Sequence, residues 1–250
     1  MVLRTPTQMA IRENLLPPEK ELVEQINSSL DRLSGLRAVE INIAGPFAQS
    51  KLAWKLATYQ HALLHRLVAL MDGVAVSWNA ESTLACILAA RAVMESFAIF
   101  AELEAQVRAR LADGDLGQLD ALAQNGIFAT RDPAMLADTP EIQARNILGY
   151  IDKFDRRAEG FRGHYDFLSE RCHPNALGHN FMFGKLDRNT GTVTYSAERH
   201  PERNRQMILA ALAAFPLVET IMTRLDQLIL DVAELQHRIA PVGSATEREF

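Results

Sequence analysis

Residues 165–179 read YDFLSERCHPNALGH, which gathers a phenol, a hydroxyl, a Glu–Arg neighbour pair, a thiol, two imidazoles and a carboxamide into one short stretch. These are groups that can move protons or hold a charged ligand. His173 and His179 are the candidates for a group that titrates near neutrality, as a general acid or base requires. Helical spacing puts Tyr165, Leu168 and Cys172 on one stripe and Arg162, Asp166, Ser169 and His173 on the neighbouring one. Pro174 disfavours helical geometry in the residue before it, so the helix should stop at His173, where the dipole favours an imidazolium. Asn175 and Gly178 suit turn positions with positive φ. The same residues also fit a purely structural reading, in which Ser and His cap a helix and Asn and Gly form the turn after it.

Away from this stretch, TLACILAARAVMESFAIFA (83–101) is apolar on nearly every face and is interrupted mainly by Arg91, Glu95 and Ser96. A helix of that kind normally lies at the centre of its bundle. Arg91 and Glu95 stand at i and i+4 and can pair. They form either a half-exposed ion pair or a polar pair facing a cleft, and they are the expected partners of Ser169, Glu170 and His173. His61 and His65 share a helix face, as metal-binding pairs do, and Glu234 and His237 repeat a spacing used in di-iron bundles. Neither completes a ligand set, so no metal and no cofactor is expected. The sequence contains no Walker loop, dinucleotide-binding glycine motif, nucleophile elbow or zincin motif.

The elements that must position these groups are helical. Residues 1–16 read as a weak helix or arm ended by Pro17-Pro18. A helix follows to about Arg37, with Leu22, Ile26, Leu30 and Leu33 at helical spacing. INIAGPF (41–47) reads as a connection, and helices are expected over about 48–74 and 80–112, the second capped by Asn79. A short helix near 116–125 precedes Thr139-Pro140-Glu141, a start signal for a helix to about Glu159. Around Asp187-Arg188-Asn189-Thr190-Gly191 the period changes, and 181–196 reads as a β-hairpin. Pro201 opens a last helix to about Ala240, which Pro216 should kink or split. The expected architecture is mainly α, a helical bundle with one inserted hairpin. Its parts are an N-terminal helical arm (1–45), a bundle domain (46–240) and a flexible tail (241–250).

Composition limits the function classes. The chain is 48% hydrophobic and 23% charged with a net charge of −5, which fits a globular domain with a sizeable core and argues against one that coats nucleic acid by charge alone. Two basic clusters, Lys153/Arg156/Arg157/Arg162 and Arg199/Arg203/Arg205, have acids interleaved and read as solvated helix surface. Cys86 and Cys172 lie far apart without CxxC spacing, which suits a reducing compartment. No charge-free apolar stretch approaches the ~20 residues of a bilayer span, and the N-terminus lacks an apolar signal region. A soluble cytoplasmic protein without a membrane partner is expected.

The pattern Tyr165-x-x-Leu168-Ser169-Glu170-x-x-His173-Pro174-Asn175-x-x-Gly178, downstream of Arg91-x-x-x-Glu95, resembles a group of bacterial helical proteins with HEPN-like domains (higher eukaryotes and prokaryotes nucleotide-binding). The resemblance would span about residues 50–240. It implies a helical bundle that homodimerises, with RNA or a nucleotide as the candidate partner. Ribonuclease members place an Arg and a His four to six residues apart on one helix. Here Arg157 and His164 are separated by a break at Gly160 and Gly163, and Arg171 and His179 by Pro174.

Two functions follow. One is a non-catalytic dimerisation or ligand-binding module, in which Tyr165, Ser169, Arg171, Asn175 and His179 serve binding. The other is a metal-independent ribonuclease of toxin or antiphage type. There His173 would be the acid–base group, Arg91 or Arg171 would stabilise phosphate charge, and Glu95 or Glu170 would orient them. Convergence of Arg91, Glu95 and His173 on an open cleft would favour the second.

Overall fold

The structure, a computed structural model, describes residues 3–44 and 47–239. It is mainly helical, with ten α-helices, a 3₁₀ turn and one two-stranded antiparallel hairpin among the described residues. The helices are α1 (Pro17–Leu36), α2 (Lys51–Asn79), α3 (Thr83–Ala112), α4 (Leu116–Phe128), α5 (Pro133–Asp138), α6 (Ile147–Asp155), α7 (Phe161–Cys172), α8 (Asn180–Phe183), α9 (Pro201–Leu212) and α10 (Leu217–Ile239). The strands are β1 (Gly184–Asp187) and β2 (Thr192–Tyr195), with Gly184 opposite Tyr195 and Asp187 opposite Thr192. The bundle with an inserted hairpin is therefore the observed fold. The expected tail at 241–250 lies outside the described residues.

The chain forms two compact units. One holds residues up to 37 with 63–102 and 146–221, and the other holds 38–62, 103–145 and the residues from 222 onward. Helices α2, α3 and α10 each contribute residues to both.

In the first unit α1 starts as its sequence dictates. Pro17 supplies a preset φ at the first helical position, and the Glu19 carboxylate accepts the Leu16 N–H at 2.9 Å. Val23, Ile26, Leu30 and Leu33 then share a face and are fully buried. α7 packs on α6 and α9, and α1 on α9. Phe97, Phe154 and Phe161 form an edge-to-face cluster that fixes α3 against both ends of the α6–α7 connection, with centroid separations of 4.8 and 4.7 Å for the two closer pairs.

The segment before α1 is extended rather than helical, because side chains satisfy its backbone. Asn27 accepts the Met9 N–H and donates to the Met9 carbonyl, both at 2.9 Å, as a neighbouring strand would. Asn79 repeats this with Ala10 N–H (2.7 Å) and the Gln8 carbonyl (2.9 Å). Asn79 is thus the last residue of α2 and a clamp on the arm, not the cap of the next helix.

In the second unit Leu52 and Leu56 of α2, Val107 of α3, Leu119 of α4 and Leu225 and Ile229 of α10 are buried. A Cβ at Gly126 would overlap the Tyr59 ring, and the Asn125 amide donates to the Glu141 carbonyl at 2.9 Å. Thr139-Pro140-Glu141 opens only a 3₁₀ turn. Thr130 captures the chain on both sides, donating to the Ile142 carbonyl (3.0 Å) and accepting the Ala144 N–H (2.8 Å). The helix begins later, at Asn146, whose side chain caps Leu148 N–H at 3.0 Å.

The expected hairpin is present, preceded by one helical turn, α8, and Gly191 supplies the positive φ of 66° that its turn requires. The last helix divides at Pro216 into α9 and α10. α3 is long and apolar enough to cross a membrane by length and composition, yet 56% of its most apolar window is buried inside the fold.

Candidate functional site

Arg91 and Glu95 project from one face of α3 toward the stripe Tyr165, Ser169 and Cys172 of α7, whose spacing of four and three places all three on one helix face. The Arg91 guanidinium donates through Nε to Ser169 Oγ (2.9 Å) and through NH2 to the Tyr165 hydroxyl (2.9 Å), and lies 3.0 Å from Glu95 Oε1. Tyr165 donates its own proton to Glu95 Oε1 at 2.9 Å. Arg91, Tyr165 and Glu95 therefore close a three-membered ring of two charge-assisted hydrogen bonds and one ion pair, and Arg91 also sits 5.2 Å from the Tyr165 ring centroid.

The Tyr165 residue is 2% exposed, whereas the Arg91 and Glu95 side chains keep 27% and 22% of their surface. The ring thus has a buried floor and a solvent-facing edge. Burial works to lower the Arg91 pKa, but the Tyr165 hydrogen bond and the Glu95 charge outweigh it and hold the guanidinium above its ordinary value. Cys172 lies beside Arg91. Burial raises its thiol pKa, Arg91 only partly offsets this, and Glu95 adds to the rise. Cys86 is pushed up to about 12 by burial. Both cysteines are free, and neither has the depressed pKa of a reactive thiolate.

The remaining expected site residues lie apart from this ring. Glu170 accepts the Asn175 amide at 2.8 Å. The Asn175 side chain also accepts the N–H groups of Leu177 and Gly178, each at 3.0 Å, so it builds the turn by hydrogen bonding rather than by a left-handed backbone. Gly178 likewise has an ordinary φ. It is glycine because a Cβ there would overlap the His173 carbonyl and sit 3.0 Å from that of Arg171.

His173 terminates α7 as expected, in extended backbone, with its N–H on the Ser169 carbonyl at 3.3 Å. Its residue is exposed, and no hydrogen bond or ion pair joins its ring to Arg91 or Glu95. His179 precedes α8 and is exposed. Arg171 stacks on the Phe167 ring, 3.3 Å from its centroid, and donates to the Phe167 carbonyl at 3.1 Å. Burial lowers its pKa, and the charge of Arg203 adds to the effect.

Of the residues singled out in the sequence, the structure brings Arg91, Glu95, Tyr165 and Ser169 together and leaves Glu170 and His173 apart from them. Sequence reasoning misses Glu102. Lys153 (2.5 Å) and Arg157 (3.4 Å) neutralise that acid, which is 7% exposed, so part of the first basic cluster, itself 42% and 45% exposed, also serves as a counter-charge. The signal was an acid on the apolar α3 opposite two cations spaced four apart. His61 accepts the Ala38 N–H on Nδ1 at 3.3 Å. Among the described residues no three His, Cys, Asp or Glu side chains form a group able to hold a metal ion.

Comparison with protein-family models, with curated proteins and with solved structures finds no match.

Proposed function

We propose that the chain is a non-catalytic, HEPN-like helical module of the cytoplasm that acts as a homodimer and binds a ligand or nucleotide. One observation supports this reading above the others. The Arg91 guanidinium is engaged by Glu95, Tyr165 and Ser169 of its own chain, and His173 is not joined to them. A ribonuclease site needs its phosphate-stabilising cation and its acid–base group to converge on one substrate. A ring that is satisfied internally instead locks α7 onto α3. The family reading rests on the YxxLSExxHPNxxG pattern of the sequence, whose Tyr and Ser complete the ring and whose Asn and Gly build the turn that follows.

The test is incubation of a mixed RNA pool with purified protein in EDTA, beside His173→Ala and Arg91→Ala. No cleavage by any of the three is expected. Cleavage by the wild type that either substitution abolishes would overturn the non-catalytic reading. Light scattering across a concentration series should give a dimer mass, and a monomer throughout would remove the dimer.

A further inference from the structure

The second unit contains a cavity of about 400 Å³, well away in sequence from the α3–α7 ring. This falls within the range of small-molecule pockets, roughly 300–1,000 Å³. Two helix faces and a loop form it. α2 gives Ala57, Gln60 and His61, and α10 gives Asp226, Ile229 and Leu230, each set at i, i+3 and i+4. From the loop come Glu40, Ile41, Asn42 and Phe47, and its first part is tied down on the same unit. Trp54 Nε1 donates to the Ile41 carbonyl at 3.1 Å, and Ala38 N–H donates to His61. The wall is mostly apolar, with Ala57 and Ile229 buried at 5% and 2% exposure.

The polar groups in this wall are unequal in sign. Asp226 and Glu40 bring two carboxylates, and no Lys or Arg lines the cavity. Asp226 Oδ1 accepts the amide of the buried Gln60 at 2.7 Å, which orients the carboxylate without neutralising it. Neither acid has an ion pair among the described residues. His61 Nδ1 accepts the Ala38 N–H at 3.3 Å, which holds the ring against the loop. A cavity with an apolar wall, two carboxylates and no Lys or Arg selects an apolar body carrying a cationic head.

We propose that this cavity binds a small hydrophobic amine in its ammonium form. Its body would lie on Ala57, Ile229 and Leu230, and its ammonium would face Asp226 and Glu40. This goes beyond the module reading, since neither the ring nor the 165–179 motif contributes to the cavity.

Calorimetric titration with 3-phenylpropylammonium, 3-phenylpropanol and 3-phenylpropionate tests it. The ammonium should saturate a single site, the alcohol should bind at least about tenfold more weakly, as the loss of a charge-assisted hydrogen bond implies, and the acid should not bind. Glu40→Gln should weaken the ammonium severalfold, and Leu230→Arg, which places a cation at the exposed rim, should abolish binding. Both sites are exposed, so both variants should melt like the wild type. Absence of saturable ammonium binding, equal binding of all three probes, or unchanged binding by Leu230→Arg would overturn the proposal. So would a Leu230→Arg variant that only converts a dimer to a monomer, because the cavity would then be an interface between copies.

Discussion

Arg91 stands at the point where three side chains depend on one cation. Replacing it with Ala leaves Glu95 three-quarters buried without its counter-charge and takes a hydrogen-bond partner from the buried Tyr165. Arg91→Ala should lower stability by about 1–3 kcal/mol in urea unfolding. Arg91→Lys should recover only part of this, since one ammonium cannot reproduce the Nε and NH2 donors that reach Ser169 and Tyr165 in different directions.

Cys86 gives a pH dependence whose sign follows from its burial. The thiol has an ordinary value of 9.0 and about 12 in the fold, so between these limits the unfolded chain loses the proton and the folded chain keeps it. Its contribution is fully present below pH 9.0 and is lost as pH rises through that window. Cys86→Ala should therefore flatten the alkaline side of the stability profile by about 1.4 kcal/mol per pH unit, measured by unfolding at successive pH values above 9. An unchanged slope would show that the thiol does not couple to folding.

Among the elements, the N-terminal arm depends most on single side chains. Asn27→Ala removes both partners of the Met9 backbone at once, and an orphaned buried backbone group costs about 1–3 kcal/mol. Met9 should lose hydrogen-exchange protection in that variant while α1 keeps its own. Equal protection in both proteins would mean that the arm is held by its side chains alone. The arm also shows where the sequence stops being legible. Repeating apolar spacing announced α1, α2, α3 and α10, because burial of one face decides a long helix. The hairpin and the break at Pro216 were legible from turn chemistry and a missing donor. The arm and Thr139-Pro140-Glu141 were not. Their form depends on Asn27, Asn79 and Thr130, which are distant in sequence and act by hydrogen bonds that no local pattern records. The site divides in the same way. Arg91–Glu95 follows from i, i+4 spacing, whereas helical spacing had set Tyr165 and Ser169 on neighbouring stripes that Arg91 joins by reaching both. The exclusion of His173 follows from α7 ending there, with the turn carrying the chain on past the ring.

At the scale of the molecule, α2, α3 and α10 each run without interruption from one compact unit into the other, so melting one unit alone would require a break inside three continuous helices. Calorimetry should show one transition, with calorimetric and van't Hoff enthalpies in agreement. Two resolved transitions would mean that these helices can fray at the boundary without cost to either unit. Chemical ageing adds a final consequence, at Asn125-Gly126. An Asn followed by Gly is the dipeptide most given to deamidation, because the unhindered glycine nitrogen can swing round to attack the side-chain carbonyl and form a succinimide. Here that nitrogen belongs to the interior of α4, the glycine is pressed against Tyr59, and the Asn125 amide is held by the Glu141 carbonyl. The folded protein should therefore store for long periods without the mass increase of deamidation at this position, and the same dipeptide should convert readily once the chain is unfolded.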